Sequence, residues 1–239
     1  MNFPSPSLPA AVVFDLDGTL IDSAPDLHAA LNRLMATEGR RQLALGEVIA
    51  MIGDGVPTLV ERGYRATGEV PEAARLAERV ETFSADYENH ATDQTVLFAG
   101  VLAALDTLRA SQVLLGICTN KPQAATLAVL RFFGLADRFD AVVGGDQLAG
   151  IRKPDARHLL ATMEKLGVGA DQTVMVGDSP NDIGVAINAG VPSIAVSFGY
   201  SRVPVPELGA NRTIDHFDDL VDALVDISLN RGKKTDGRL

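Results

Sequence analysis

The sequence is poor in the features on which disulfides, membrane spans and nucleic-acid surfaces depend. It contains one cysteine, Cys118, so no disulfide can close within the chain, and we expect a reducing, cytoplasmic compartment. No stretch reaches the roughly 18 apolar residues of a membrane-spanning helix, and the opening MNFPSPSLPA lacks the basic end and apolar segment of a signal peptide. Acidic residues outnumber basic ones by 31 to 21, for a net charge of −10. We therefore expect neither a membrane partner nor a nucleic-acid partner.

What the chain does contain is a series of short apolar runs that end at glycine, aspartate or asparagine. Each run is almost continuously apolar, as strands buried on both faces of a parallel sheet are. Helix-like segments at 122–133, 154–166 and 181–189 alternate with the later runs. This alternation predicts an α/β fold with a parallel sheet and helices on both faces. The runs cover residues 10–16, 113–119, 141–145, 173–177 and 193–199.

One interval interrupts the alternation. Between about residues 24 and 90 the pattern indicates helices at 25–37, 56–65 and 71–87 and no strand. These helices could be an elaboration packed on the sheet edge, or a mobile cap over the strand ends. We predict a helical cap domain at 23–92, inserted in a core domain formed by residues 1–22 and 93–239.

Polar side chains collect where the apolar runs end. Ligands of open α/β sheets bind beyond the carboxyl ends of the strands, so these residues are candidates for a site. A single aspartate there is ordinary turn or helix-cap chemistry, but four carboxylates beside lysines are harder to explain that way. The residues are Asp15 and Asp17 after the first run, Thr119, Asn120 and Lys121 after the second, Lys153 before a helix, and Asp178 and Asp182 after the fourth run.

The chemistry of these residue types suggests a metal and a phosphate. Carboxylates held close together repel one another unless a cation neutralises them, and oxygen ligands without histidine or cysteine favour Mg²⁺. A carboxylate such as Asp15 can also be a nucleophile that forms an aspartyl-phosphate. A second carboxyl two residues on, at Asp17, can then transfer protons to the leaving group and from the attacking water.

The sequence resembles the haloacid dehalogenase-like hydrolase superfamily in four motifs and in their order. These are DLDGT, a strand ending in TN, a later lysine and GDSPND. The resemblance implies a Rossmann-like core with a helical cap inserted after the first motif. It also implies that Asp15 is the nucleophile and Asp17 the general acid/base. Thr119 and Asn120 would hold the phosphate, and Lys153 would offset the charge of both nucleophile and phosphate.

The resemblance further implies a Mg²⁺ site. Its ligands would be the Asp15 carboxylate, the Asp17 main-chain carbonyl and Asp178, with Asp182 acting directly or through water. Because dehalogenases lack the second aspartate of the first motif, Asp17 favours a phosphatase over a dehalogenase. Lys121 is expected to begin a helix and face solvent.

Three segments resemble phosphoglycolate phosphatases: DSAPDLHAALNRLM, IGDGVPTLVERGY and FGY. We therefore predict hydrolysis of the small phosphorylated metabolite 2-phosphoglycolate by a monomer or homodimer, with Arg62 contacting the substrate carboxylate. The alternatives are a phosphatase for another small metabolite, a β-phosphoglucomutase-like sugar phosphate mutase and a non-catalytic binding protein. The cap contains no lysine, which argues against a phosphonatase.

The remaining reactive side chains are expected to be structural. The four histidines show no metal-binding spacing, and His158 and His216 are expected at the surface or within helices. Cys118 is expected to be a small buried apolar residue rather than a nucleophile. The tail at 231–239 is expected to fray.

Overall fold

A computed structural model describes the backbone of residues 8–235 and the side chains of residues 8–230. Strands and helices alternate along most of the chain. The strands are β1 (Ala11–Phe14), β2 (Ile21–Asp22), β3 (Val96–Leu97), β4 (Leu114–Cys118), β5 (Ala141–Val143), β6 (Thr173–Gly177), β7 (Ser193–Val196) and β8 (Arg212–Ile214). The helices are α1 (Ala24–Thr37), α2 (Leu45–Ile49), α3 (Val56–Thr67), α4 (Ala73–His90), α5 (Val101–Ala110), α6 (Gln123–Phe132), α7 (Ala156–Leu166), α8 (Pro180–Ala189) and α9 (Leu220–Thr235).

The main sheet is parallel and six-stranded, in the order β5-β4-β1-β6-β7-β8. The central strand β1 is buried on both faces: Val12 and Phe14 belong to one hydrophobic core, and Ala11 and Val13 to the other. Helices α5, α6 and α9 contribute to the first core, and α7 and α8 to the second. The α/β fold, a Rossmann-like parallel sheet with helices on both faces, is therefore confirmed.

Each of the five predicted strands is present: β6 has the predicted bounds, and the other four are shorter than the apolar runs that indicated them. Strand β8 was not predicted, because it lies at the sheet edge and only Ile214 of its three residues is buried. Helices α2, α5 and α9 were not predicted either. An edge strand of three residues and a helix of five, such as α2, carry too few buried positions for a clear apolar pattern, but this reason does not apply to the longer α5 and α9.

The helices α1 to α4 occupy the predicted interruption, between β2 and β3. These two short strands pair antiparallel, with Ile21 opposite Leu97, so the chain leaves the sheet and returns to it through one two-stranded link. The proposed division into a core domain and a cap domain at 23–92 stays a prediction.

A buried carboxylate ties the two halves of this link together. Asp26, in the first turn of α1, is 1% exposed and accepts hydrogen bonds from the main-chain N–H groups of Gln94 and Thr95. The Thr95 hydroxyl also donates to it, at 2.7 Å. The start of the inserted helices is thus fastened to the segment that leaves them.

Replacing Asp26 by alanine is expected to lower the free energy of unfolding by about 3 kcal/mol, because buried donors lose a charged acceptor. Urea denaturation measures this change. Asp93→Ala is the control, since it removes an exposed carboxylate paired with His90 and should change stability by less than about 0.5 kcal/mol. Equal destabilisation by the two variants would contradict the role given to Asp26.

Two sequence-based expectations concern the chain ends and the membrane. Helix α9 continues to Thr235, into the tail predicted to fray, and residues 236–239 and 1–7 lie outside the described residues, as does most of the segment assessed for a signal peptide. Within the described part of the chain, no helix is long and apolar enough to cross a membrane.

Candidate active site

The end of β1 carries the two aspartates of the first motif into the site. The Asp15 main-chain N–H donates to the Val176 carbonyl of β6 at 2.9 Å, which keeps Asp15 in line with the sheet. Gly18 then turns the chain with φ +83°, and a Cβ atom there would lie 2.5 Å from a carboxylate oxygen of Asp178. Only glycine fits this turn, which brings the first motif against the GDSPND segment.

Lys153 lies between Asp15, the candidate nucleophile, and Asp182 of the GDSPND motif. Its Nζ lies 2.7 Å from Asp15 Oδ1, at ion-pair distance although not with hydrogen-bond angles, and donates to Asp182 Oδ1 at 2.5 Å. Burial acts to lower the pKa of Lys153, but Asp15 and Asp182 outweigh it and raise the pKa overall. Lys153 therefore remains an ammonium group and offsets charge on both carboxylates.

Asn120 holds the backbone around Lys153. Its side-chain oxygen accepts from the Lys153 N–H at 2.9 Å, and its side-chain nitrogen donates to the carbonyls of Lys153 and Gly53. Both amide protons are thereby used. Any contact of Asn120 with a phosphate falls to its main-chain N–H, while Thr119, buried after β4, lines the adjacent cavity.

Three buried carboxylates form a cluster that suits a cation. Asp15, Asp178 and Asp182 each offer one oxygen, and these oxygens lie within 4.8 Å of one another. Burial and the neighbouring Asp182 raise the pKa of Asp15 to about 7, and burial with Asp182 and Asp15 raises the pKa of Asp178 well above its usual range. A hard divalent ion such as Mg²⁺ fits this oxygen-only set, because it would offset the repulsion that raises these pKa values.

Both carboxylate oxygens of Asp182 accept hydrogen bonds from the protein. One of its oxygens accepts from Lys153, and the other accepts from the main-chain N–H and the hydroxyl of Ser179 at 2.9 and 2.6 Å. Of the two modes expected for Asp182, this arrangement favours contact with a metal through water. Asp178 accepts from the Tyr200 N–H at 2.6 Å.

The side chain of Asp17 is held by two donors. Lys121 Nζ donates to Asp17 Oδ1 at 2.9 Å, and the Ser23 hydroxyl donates to the same oxygen at 2.6 Å. The expectation that Lys121 faces solvent is wrong: its side chain is 2% exposed. The inserted helices cover the end of β4, and Tyr87 of α4 accepts a hydrogen bond from Lys121 at 2.6 Å.

A cavity lies between the strand ends and the inserted helices, and its empty space, including the part that opens to solvent, is about 450 Å³. It combines charged and hydroxyl groups from the sheet edge with apolar groups from the helices, as small-molecule sites do. Its lining residues are Asp15, Asp17, Leu27, Ile52, Gly53, Gly55, Val56, Leu59, Tyr87, Thr119, Asn120 and Lys121.

Arg62, predicted to contact the substrate, is not among these lining residues. Its guanidinium lies 2.5 Å from Asp54 and donates to the Met51 carbonyl at 2.9 Å, and it borders a different surface depression. Helix α3 carries Arg62 two turns away from the glycine-containing loop at 53–55, so the loop reaches the site and Arg62 does not.

The loop at 53–55 contacts the sheet edge through Asp54. The Asp54 carboxylate accepts from Asn181 at 2.7 Å and from Arg202 at 2.8 Å, in addition to its pair with Arg62. Burial acts to raise the pKa of Asp54, but these three partners outweigh it and lower the pKa. The charged Asp54 therefore links the inserted helices to two side chains of the core.

Two other reactive side chains have structural positions. His158 is within α7 as expected, but it is fully buried rather than at the surface, since α7 packs that face on β4 and β5. Burial and nearby Lys153 lower the pKa of His158 to about 4, so the ring is neutral. Cys118 is buried, and burial raises the pKa of its thiol to about 12, which confirms a packing role.

Comparisons with known proteins agree with this geometry. Residues 12–196 match the family model described as haloacid dehalogenase-like hydrolase. The phosphoglycolate phosphatase of Cereibacter sphaeroides is 44% identical over 213 residues, which cover 89% of this chain and 96% of that protein. The phosphoglycolate phosphatase of Rhodospirillum rubrum is 44% identical over 222 residues, which cover 91% of each.

A solved structure supports the same relationship. The crystal structure of a protein from Haemophilus somnus, described as a predicted phosphoglycolate phosphatase, superimposes with a TM-score of 0.84 at 28% identity. The match covers 89% of this chain and 96% of that one. Because the matched region includes the first motif, the lysine and the acidic cluster, the chain belongs to the haloacid dehalogenase-like hydrolase family and resembles its phosphoglycolate phosphatases over most of its length.

Proposed function

We propose that this protein is a Mg²⁺-dependent phosphomonoester hydrolase that converts 2-phosphoglycolate to glycolate and phosphate through an aspartyl-phosphate on Asp15. The observation that carries the proposal is the pairing of Asp15, which lines the cavity, with Lys153, while Asp17 lines the same cavity two residues further along the chain. The similarity to phosphoglycolate phosphatases supports the substrate.

In the first half-reaction, a carboxylate oxygen of Asp15 attacks phosphorus and the bond from phosphorus to the ester oxygen breaks. The electron pair of that bond goes to the ester oxygen, which takes a proton from Asp17 and leaves as the hydroxyl of glycolate. Lys153 favours the ionised form of Asp15, against burial and Asp182, and offsets charge on the phosphoryl oxygens.

In the second half-reaction, Asp17 takes a proton from a water molecule, whose oxygen attacks the phosphorus of the aspartyl-phosphate. The bond between phosphorus and Asp15 breaks, which releases phosphate and restores both carboxyl groups. Ser23 and Lys121, which contact the Asp17 carboxylate at 2.6 and 2.9 Å, hold it in place for both proton transfers.

The phosphoryl group is held by Thr119, by the main-chain N–H of Asn120 and by Lys153. A Mg²⁺ ion would be held by Asp15, the Asp17 main-chain carbonyl and Asp178, with Asp182 through water. When bound, this ion supplies positive charge that offsets the carboxylates and the phosphoryl oxygens.

The inserted helices act as a lid over this chemistry. We propose that 23–92 is a cap domain that opens and closes about the segments 21–25 and 92–99, and that closure excludes bulk water during protonation of the leaving group. The cytoplasmic location and the monomeric or homodimeric state expected from the sequence stay predictions.

Phosphate release from a panel of small phosphate esters tests the function. With Mg²⁺ present, 2-phosphoglycolate should give the highest kcat/KM, and glucose 1-phosphate should give neither phosphate nor glucose 6-phosphate. A different preferred ester would refute the substrate and leave the hydrolase chemistry standing. Formation of glucose 6-phosphate would favour the mutase, and no release from any ester would refute the proposal.

The contact made by Asp54 gives a test of lid closure. Asp54→Ala removes the carboxylate that binds Asn181 and Arg202, so we expect KM for 2-phosphoglycolate to rise about tenfold, with a smaller change in kcat. Hydrogen exchange of residues 53–55 in the presence of Mg²⁺ and a phosphate analogue should increase as well.

The matched control for Asp54 is Asp86. Asp86→Ala also removes a carboxylate bound by an arginine, Arg33, but both residues of that pair belong to the inserted helices. Its KM should stay near that of the wild type. If the two variants raise KM equally, the contact between Asp54 and the core has no part in closure.

A further inference from the structure

A buried lysine and tyrosine lie side by side where the inserted helices meet the sheet edge. Lys121 follows β4, and Tyr87 is in the last turns of α4. The Lys121 ammonium donates to the Tyr87 hydroxyl at 2.6 Å and lies 4.6 Å from the centre of its ring. Both residues are at most 5% exposed and both line the cavity. The inserted helices, through Tyr87, and the sheet-forming part of the chain, through Lys121, thus each contribute one polar group to the same wall of the cavity.

This pair has hydrogen-bond donors that the protein does not use. An ammonium group carries three protons, and in the described part of the chain Lys121 Nζ donates to Asp17 and Tyr87. Burial raises the pKa of Tyr87 to about 12, so its hydroxyl keeps its proton near neutral pH. Because that oxygen accepts from Lys121, its own proton is free to donate, and no acceptor for it is found among the described residues. One N–H and one O–H are therefore available at the cavity wall.

Charge singles out the same position. Lys121 is the one cationic side chain among the described residues that line the cavity. Lys153 and Arg62 do not line it: Lys153 pairs with Asp15 and Asp182, and Arg62 pairs with Asp54. A second anionic group on a substrate, beside its phosphate, would meet positive charge in this cavity at Lys121.

The position of Asp17 relates Lys121 to the substrate. In the proposed reaction Asp17 gives its proton to the ester oxygen, and Lys121 Nζ lies 2.9 Å from Asp17 Oδ1. In 2-phosphoglycolate, the carbon that bears the ester oxygen also bears the carboxylate. A carboxylate on that carbon therefore comes within reach of the Lys121 ammonium and the Tyr87 hydroxyl, which can bind its two oxygens separately.

We infer that Lys121 and Tyr87 together bind the substrate carboxylate, and that they select phosphate esters whose carboxylate is on the carbon that carries the ester oxygen. This inference rests on the proposed function, whose substrate it explains. Closure of the inserted helices over the sheet then affects substrate selectivity directly, because Lys121 belongs to the core and Tyr87 to the inserted helices.

The test compares two esters that differ in the group to be bound. 2-Phosphoglycolate carries a carboxylate, and 2-hydroxyethyl phosphate has a neutral hydroxymethyl group in its place. In Lys121→Met, loss of the contact with Asp17 should lower kcat for both esters by a similar factor. Loss of the carboxylate contact should lower kcat/KM for 2-phosphoglycolate by about a further 100-fold, mostly through KM. Tyr87→Phe keeps the ring and should give a selective loss of about tenfold.

The control and the wild-type enzyme separate this inference from its alternatives. Lys165→Met removes an exposed lysine of α7 and should leave the ratio of the two kcat/KM values unchanged. Circular dichroism and the melting temperature establish whether Lys121→Met and Tyr87→Phe fold. If Lys121→Met does not fold, the inference is tested by Tyr87→Phe and by the wild type. Wild type should prefer 2-phosphoglycolate at least tenfold over the phosphate ester of 3-hydroxypropionate, whose carboxylate is one carbon further away.

Three results would overturn the inference. Equal losses on both esters in a folded Lys121→Met would limit Lys121 to positioning Asp17. A selective loss in Arg62→Met, with none in Lys121→Met, would assign the carboxylate to Arg62. Wild type indifferent to the position of the carboxylate would exclude a dedicated carboxylate site. Failure of the proposed function is distinct, because wild type would then hydrolyse 2-hydroxyethyl phosphate and not 2-phosphoglycolate, or neither.

Discussion

Replacing Asp15 by asparagine is expected to lower kcat for phosphate release by about 10⁴-fold or more, because an amide cannot attack phosphorus as a carboxylate does. The exchange keeps the size of the side chain and removes a charge from a cluster of three buried carboxylates. The variant should therefore fold. Loss of activity would then reflect chemistry rather than structure.

A single-turnover experiment with ³²P-labelled 2-phosphoglycolate measures the intermediate directly. Acid quenching of the wild type should trap label on the protein, and Asp15→Asn should trap none. Asp155→Asn is the matched control. Asp155 lies outside the cavity and caps α7 by accepting a hydrogen bond from the Arg157 N–H. This variant should trap as much label as the wild type and keep the wild-type kcat. Undiminished label on Asp15→Asn would place the nucleophile elsewhere.

Removal of divalent metal is expected to abolish activity and to change how stability depends on pH. Burial and Asp182 raise the pKa of Asp15 to about 7, and the pKa of Asp178 is raised as well. A carboxyl whose pKa is raised by folding binds its proton more tightly in the folded state than in the unfolded state. Between about pH 4 and pH 7 the folded protein therefore holds more protons, so the free energy of unfolding of the metal-free protein falls as pH rises.

Mg²⁺ should reverse this loss. The ion competes with protons for the same carboxylates and binds the folded state, so a concentration of about 100 times its Kd would add about 2.7 kcal/mol to the free energy of unfolding. Its effect should be larger at pH 8, where the carboxylates are ionised, than at pH 5. Melting temperatures at pH 5, 6, 7 and 8, with EDTA or with MgCl₂, measure both effects.

Variants of the cluster provide the controls for this linkage. Asp178→Asn should flatten the pH dependence of the metal-free protein and reduce the Mg²⁺ shift, since it removes one repelling charge and one ligand. Asp155→Asn should keep the wild-type Mg²⁺ shift, because the Arg157 hydrogen bond and the helix N–H lower the pKa of Asp155 to about 2, below this range. A melting temperature that is constant or rises from pH 5 to 7 without metal would contradict the account of the cluster.

The sheet and the acidic cluster were predictable for related reasons. A strand buried on both faces, such as β1, must be apolar throughout, and that pattern is visible in one sequence. Parallel strands end at the same edge, so polar residues after β1 and β6 were expected to meet, as Asp15 and Asp178 do. Asp15 and Asp17 are only two residues apart in one loop, so their proximity was also predictable from the sequence.

The role of Lys121 and Tyr87, which we propose bind the substrate carboxylate, was not predictable in this way. Tyr87 follows Phe83 by one helical turn and continues its apolar stripe, so the pattern assigns it to packing. Lys121 looked like the exposed start of a helix, and Arg62 looked like a cation near the site. Neither the burial of Lys121 nor the pairing of Arg62 with Asp54 leaves a local trace in the sequence.

The fold class and the meeting of the acidic residues at the ends of the strands could be predicted from the sequence, because each depends on neighbours along the chain and on the rules of parallel sheets. Which cation faces the cavity could be seen only in the three-dimensional arrangement of the chain. That choice depends on how the inserted helices lie over the sheet, which brings Tyr87 onto Lys121 and holds Arg62 against Asp54. Contacts between elements far apart in sequence are set by packing of the whole chain, and no local pattern records them.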